Sequence, residues 1–87
     1  MALQILENNG TFHLEGNLNA TTSRSFIIHF EHIISRLKKV TVNIEKVKEI
    51  DRNGVAAFKI LLANALRNNK LFSITGNGCE DIYKDFN

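Results

Sequence analysis

Val40-Thr41-Val42-Asn43-Ile44-Glu45 alternates apolar and polar residues strictly, as a strand buried on one face does. A shorter alternation from Leu71 to Thr75 sets Phe72 and Ile74 against Ser73 and Thr75, with Leu71 an exception. Two further strand-like runs, Leu3 to Glu7 and Thr11 to Glu15, flank Asn8-Asn9-Gly10. Asn-Gly supplies the positive φ angles of a tight turn, so these runs predict an antiparallel hairpin. Elsewhere the period is that of a helix. Phe26, Ile27, Phe30, Ile33, Ile34 and Leu37 form one stripe, predicting a helix that ends at about Leu37. Ile28 lies off that stripe. Gly16 to Ala20 reads as the preceding loop, with Asn19, Thr21 or Thr22 available as a cap. A second helix is expected from about Gly54 to Asn68, with Val55, Phe58, Leu62, Ala65 and Leu66 facing the sheet. Asn68-Asn69-Lys70 is its closing turn. Gly76-Asn77-Gly78 is a loop, and Glu80 to Phe86 a short last helix anchored by Ile82, Tyr83 and Phe86.

Alternation within the strands decides the layering. A sheet covered on both faces would read as continuous apolar runs. Here each strand has a polar side, so the helices belong on one face only. The expected fold is a small α/β one: a four-stranded mixed sheet with helices packed on one face, in a single domain over residues 1–87.

The junction Ile50-Asp51-Arg52-Asn53-Gly54, between strand and helix, concentrates the candidate chemistry. Asp51 can cap the helix by accepting its orphan N–H bonds, and capping alone accounts for it. Such a junction also favours anions, because helix dipole and free N–H groups point outward there. Arg52 is harder to explain structurally, since a cation beside a helix N-terminus costs roughly 0.3–1 kcal/mol. Its fork could instead meet a carboxylate or phosphate on a partner. On the helix itself Ile60 lies opposite the expected core face, with Ala56, Ala63 and Arg67 beside it. That low-relief apolar stripe suits a partner helix, though a scattered exposed Ile is normal.

With its flanks, this junction resembles the STAS family of sulfate transporters and anti-sigma factor antagonists. The family pattern is a strand, then Asp-Ser-Ser-Gly or a variant, then a helix; here the run is Val40 to Ile44, Asp51-Arg52-Asn53-Gly54, then Val55-Ala56-Ala57. Upstream, Leu14-Glu15-Gly16-Asn17-Leu18-Asn19-Ala20 is similar to the family's Leu-x-Gly-x-Leu-Asp-x, with Asn19 where Asp is usual. Leu71 to Gly76 resembles the last strand, and the likeness runs from about Leu3 to about Phe86. The resemblance implies a non-catalytic module that binds a protein partner through Asp51, Arg52, Asn53, Gly54, Ala56, Ile60 and Ala63. The implied partner is an anti-sigma factor, a kinase-like ATPase. Small stand-alone members also pair with the ATPase of lipid-trafficking ABC transporters, which is the alternative. Homodimerisation stays open. One departure matters: the phospho-acceptor Ser of regulated members is Asn53 here, and the Ser before it is Arg52. An amide has no hydroxyl, so the usual switch is absent at this position.

Other chemistry finds little support. The net charge is +2, and the Lys38-Lys39, Lys46, Lys48 cluster is interrupted by Glu45 and Glu49, unlike a continuous basic face for nucleic acid. The first residues lack a signal-peptide pattern, and no run approaches the ~20 apolar residues of a membrane span. A lone Cys79 forms no internal disulfide, in keeping with a reducing cytoplasm, and reads as structural or incidental. His29 and His32 are three apart, but no Cys or carboxylate completes a metal set, and His13 stands alone. Gly76-Asn77-Gly78 lacks the downstream pattern of a phosphate loop, and no nucleophile–base set or cofactor motif occurs.

Overall fold

The computed structural model describes the backbone of residues 3–86 and the side chains through Lys84. Its elements are β1 (Gln4–Asn8), β2 (Thr11–Leu18), α1 (Ser23–Arg36), β3 (Lys39–Ile50), α2 (Arg52–Arg67), β4 (Leu71–Thr75) and α3 (Cys79–Phe86). The strands form one sheet in the order β1-β2-β3-β4. β1 and β2 pair antiparallel across Asn9 and Gly10, whose φ angles of 54° and 84° are those the hairpin turn requires. β2 with β3 and β3 with β4 are parallel, so the sheet is mixed.

One face of that sheet is buried. Phe12, Leu14, Leu18, Val40, Val42, Ile44 and Ile74 lie on it, under Phe26, Phe30 and Ile34 of α1 and Ala57, Phe58, Leu61 and Ala65 of α2. The opposite face carries the polar half of the alternation, including Thr11, His13, Thr41, Asn43 and Ser73. Five phenylalanines lock the layers together. Phe30 meets Phe12 at 5.5 Å, Phe26 at 5.0 Å and Phe72 at 6.3 Å between ring centroids, and Phe58 meets Phe26 at 5.0 Å. These tilted and edge-on contacts add to the apolar area they bury. Among the described residues, no polar or charged side chain is buried.

Two strands are longer than their alternation predicts. β2 continues through Gly16-Asn17-Leu18, expected as loop, and β3 runs on to Ile50 instead of stopping at Glu45. β2 itself keeps alternating, with Gly16 an inward position that carries no apolar side chain, whereas two register shifts explain the extension of β3. Each inserts one extra residue on β3, after the His13–Asn43 and Gly16–Val47 pairs. A bulge reverses which residues point inward, so the period-two signal ends while pairing continues. Smaller differences occur at the helix ends. α2 begins at Arg52, two residues early, because Asp51 caps it. Thr22 stands at the α1 N-cap without capping it; Asn19 Oδ1 instead accepts the Thr21 and Thr22 N–H groups. Leu37 leaves the core stripe, since the chain is already extended there, and is exposed.

The phase of α2 also differs from expectation. Leu66 is 75% exposed, whereas Ala57 and Leu61, not assigned to the core face, are buried. Small Ala57 hid that stripe, and Leu66 projects beyond the edge the helix covers. The α2 C-terminus closes as expected, with Lys70 N–H bonding to the Ala65 carbonyl, Asn69 N–H to Leu66, and Asn69 at φ 57°. In α3, Ile82 is buried, while Tyr83 is partly exposed and its hydroxyl accepts the Ile74 N–H at 2.7 Å. That bond satisfies a donor on the outer edge of β4, a protection such edges need. The anchoring expected of Phe86 lies outside the described side chains.

A pair of substitutions tests this packing. Phe30→Ala should cost about 3–5 kcal/mol by emptying the centre of the aromatic cluster. Leu66→Ala should stay within about 0.5 kcal/mol, as exposed positions do. Denaturant unfolding of both variants distinguishes the observed helix phase from one with Leu66 inside.

Candidate functional site

Asp51 sits where β3 ends beside β2 and α2 begins. Its N–H donates to the Leu18 carbonyl at 3.1 Å, tying the turn to the end of β2. Its backbone is extended, with φ −92° and ψ −172°, and its carbonyl accepts the Val55 N–H at 3.0 Å. Its carboxylate oxygen Oδ1 accepts the N–H groups of Asn53 at 2.9 Å and Gly54 at 3.1 Å. This is the cap expected from sequence.

The same cap alters the expectation that the junction draws anions. Two of the orphan donors of α2 are taken by Asp51, and a fixed carboxylate already occupies the positive end of the dipole. An incoming anion would therefore meet a negative charge. For the same reason, the cost of placing Arg52 here is smaller than a bare helix end would impose.

Gly54 is required by packing. A β-carbon there would lie 2.6 Å from the Leu18 carbonyl oxygen and 2.8 Å from Ile50 Cγ2. Real β-carbons do not come so near a backbone oxygen, so α2 can press against the end of β2 only with glycine. Arg52 and Asn53, by contrast, are both exposed. The four-residue motif thus divides into two structural residues, Asp51 and Gly54, which hold two presented side chains between them.

The outer stripe follows from that turn as expected. Ala56, Ile60, Ala63 and Arg67 are exposed, Ile60 at 46%. Arg67 Nη2 donates to Asn64 Oδ1 at 3.2 Å, and Asn64 Nδ2 to Glu31 Oε2 of α1 at 3.0 Å, flanking the stripe with polar groups. All seven predicted partner-binding residues therefore lie on the turn and α2, with Gly54 buried beneath the others.

Sequence reasoning missed the groove beside this stripe. About 570 Å³ in volume, it runs between the bulged end of β3, the first half of α2 and the start of α3. Ile44, Val47, Ile50, Val55, Ala56 and Ile82 give it apolar walls, with Arg52, Lys59 and Asp81 among its charged lining residues. The size is that of an ordinary ligand or side-chain pocket. Its residues come from β3, α2 and the start of α3, and part of the β3 wall lies beyond the strand end expected at Glu45, so no local pattern announces it. Ile28 is exposed on α1, away from these lining residues.

Among the described residues, no group of three or more His, Cys, Asp or Glu side chains could hold a metal, and no helix is long and apolar enough to cross a membrane. His29 packs edge-on against Phe30 at 5.4 Å, and Cys79 is half-buried against the core.

Two substitutions measure how firmly the turn is held. Asp51→Ala should lower stability by about 1 kcal/mol, the usual worth of such a cap. Gly54→Ala should cost about 1–3 kcal/mol, because the clash is with backbone and α2 must shift to relieve it. Thermal and denaturant unfolding of both variants check these values.

No family model matches the chain, and no curated protein matches its sequence. Solved structures do match. The unphosphorylated form of the anti-sigma factor antagonist SpoIIAA aligns with a TM-score of 0.71 over 95% of this chain and 82% of its own, at 12% identity. A crystal structure of Mglu aligns with a TM-score of 0.70 over 86% of this chain, at 12% identity, but this covers only 19% of that larger chain. At such identities the likeness is one of fold. The four-stranded mixed sheet with its three helices is the STAS fold, shared with an anti-sigma factor antagonist, as the motif order in the sequence implies.

Proposed function

We propose that this protein is a non-catalytic regulatory module that binds a protein partner, an anti-sigma factor of the kinase-like ATPase class, and so releases a sigma factor. The observation that carries this reading is the continuous surface from the Asp51 turn along α2. Arg52 and Asn53 project from a turn that two structural residues hold rigid, and Ala56, Ile60 and Ala63 extend it as a shallow apolar stripe. Small residues there let a partner helix approach closely, and Arg52 offers it a fork for a carboxylate. The adjoining groove supplies an anchor pocket on the same side, since Arg52 and Ala56 line it too. The fold shared with the anti-sigma factor antagonist SpoIIAA supports the assignment of class.

Capture from native lysate with partner identification by mass spectrometry tests this proposal. The intact protein should retain a kinase-like ATPase, and Ile60→Asp should lose it while unfolding within about 0.5 kcal/mol of the parent, as exposed positions do. Arg52→Ala should leave stability as little changed but weaken binding, more so at low salt where charge attraction is least screened. Loss of stability in Arg52→Ala with unaltered affinity would make Arg52 structural.

Regulation by phosphate at this turn is a separate matter. Asn53 is exposed and carries an amide, so a kinase acting on the equivalent Ser of family members should leave it unlabelled. Asn53→Ser restores the hydroxyl and should be labelled at residue 53 by phosphosite mapping. Incorporation at native Asn53 would contradict the chemistry; labelling at another hydroxyl would move the switch elsewhere.

A further inference from the structure

The chain contains three Asn-Gly pairs: Asn9-Gly10, Asn53-Gly54 and Asn77-Gly78. Asn followed by Gly is the pair most open to spontaneous loss of the amide. The Gly backbone nitrogen loses its proton and attacks the Asn side-chain Cγ. A C–N bond forms, the Cγ–NH2 bond breaks, and ammonia leaves a five-membered succinimide. Solvent water then opens either carbonyl of that ring, giving aspartate or isoaspartate. With no side chain on Gly, nothing shields the attacking nitrogen, and its backbone turns freely.

The fold treats the three pairs differently. Gly10 N–H donates to Glu7 Oε2 at 2.9 Å, in a hairpin turn fixed by the Asn8–Thr11 pair. Gly54 N–H donates to Asp51 Oδ1 at 3.1 Å inside the first turn of α2, where it is buried. In both, the proton that must leave is held by a carboxylate, whose charge also opposes negative charge growing on the nitrogen. Gly78 has no such acceptor: among the described hydrogen bonds its N–H makes none. The nearby Glu45 carboxylate takes the N–H of Asn77 instead, at 3.2 Å. Asn77 and Gly78 are exposed, Gly78 stands at φ 92°, and only Ile44 Cδ1, at 4.0 Å, is near where its β-carbon would be.

We propose that Asn77 is a deamidation site, selected because Gly78 alone of the three glycines keeps its N–H unheld, and that conversion puts a carboxylate on the rim of the groove. Isoaspartate would also lengthen the backbone of the loop that leads into α3. Any effect on partner binding rests on the function proposed above; the modification does not.

The test is peptide mapping of the purified protein, kept folded in warm, mildly alkaline buffer, with isoaspartate detection at each site. Asn77 should convert first, while Asn9 and Asn53 remain amides. Unfolding the same protein in denaturant should let all three convert at similar rates, so selectivity belongs to the fold. Glu7→Ala, which frees the Gly10 N–H in an exposed turn, should bring Asn9 conversion towards that of Asn77. Asn77→Gln should abolish the leading conversion, since its longer side chain disfavours ring closure. Asn9 or Asn53 converting as fast as Asn77 in the folded protein would overturn the proposal, as would an Asn77 that stays intact while the unfolded chain reacts.

Discussion

The constraint on which this structure turns is the approach of α2 to the end of β2. Leu18 is fully buried, and its carbonyl accepts the Asp51 N–H at 3.1 Å. The start of α2 stands so close to that carbonyl that only glycine fits at position 54. The strand end, the turn and the helix start are thereby fixed in one arrangement. β3 must reach Leu18 to complete it, which is why it pairs as far as Ile50 and takes up two extra residues on the way. A straight strand of that length would aim its side chains differently. The bulges place Val47 and Ile50 where they line the groove against α2 and α3.

What the sequence discloses depends on whether one segment can carry the signal alone. The hairpin, the first half of β3, β4 and the polar sheet face are each written in a local period, and all are found as read. The Asp51 cap is legible because its donors lie within three residues. The extension of β3 is not, since a bulge breaks alternation without breaking pairing. The burial of Ala57 and the exposure of Leu66 are hidden for a different reason: residue size, not hydrophobicity, decides how closely α2 lies on the sheet. The groove is the least legible feature, being made where three segments meet.

Chemically, the division of labour is sharp. The described interior is wholly apolar, held by the phenylalanine cluster, and every described ionisable group is partly or fully exposed. What the described surface presents is shape and charge. Rigidity at the presenting turn then matters, because a surface held in one conformation loses less freedom on binding.

The turn also separates the residues that the fold depends on from those it leaves exposed. Among the described hydrogen bonds, none joins the Arg52 or Asn53 side chain to the turn; the cap engages only backbone N–H groups at Asn53 and Gly54. The structural demands fall on Asp51, which supplies the carboxylate, and Gly54, which supplies the absence of a side chain. The side chains at the two positions between them are exposed and take no part in the cap. Substitution there changes charge and hydrogen-bonding character at the surface while leaving the scaffold as it is. A guanidinium at position 52 and an amide at position 53 therefore set the chemistry of an exposed surface that Asp51 and Gly54 hold in place.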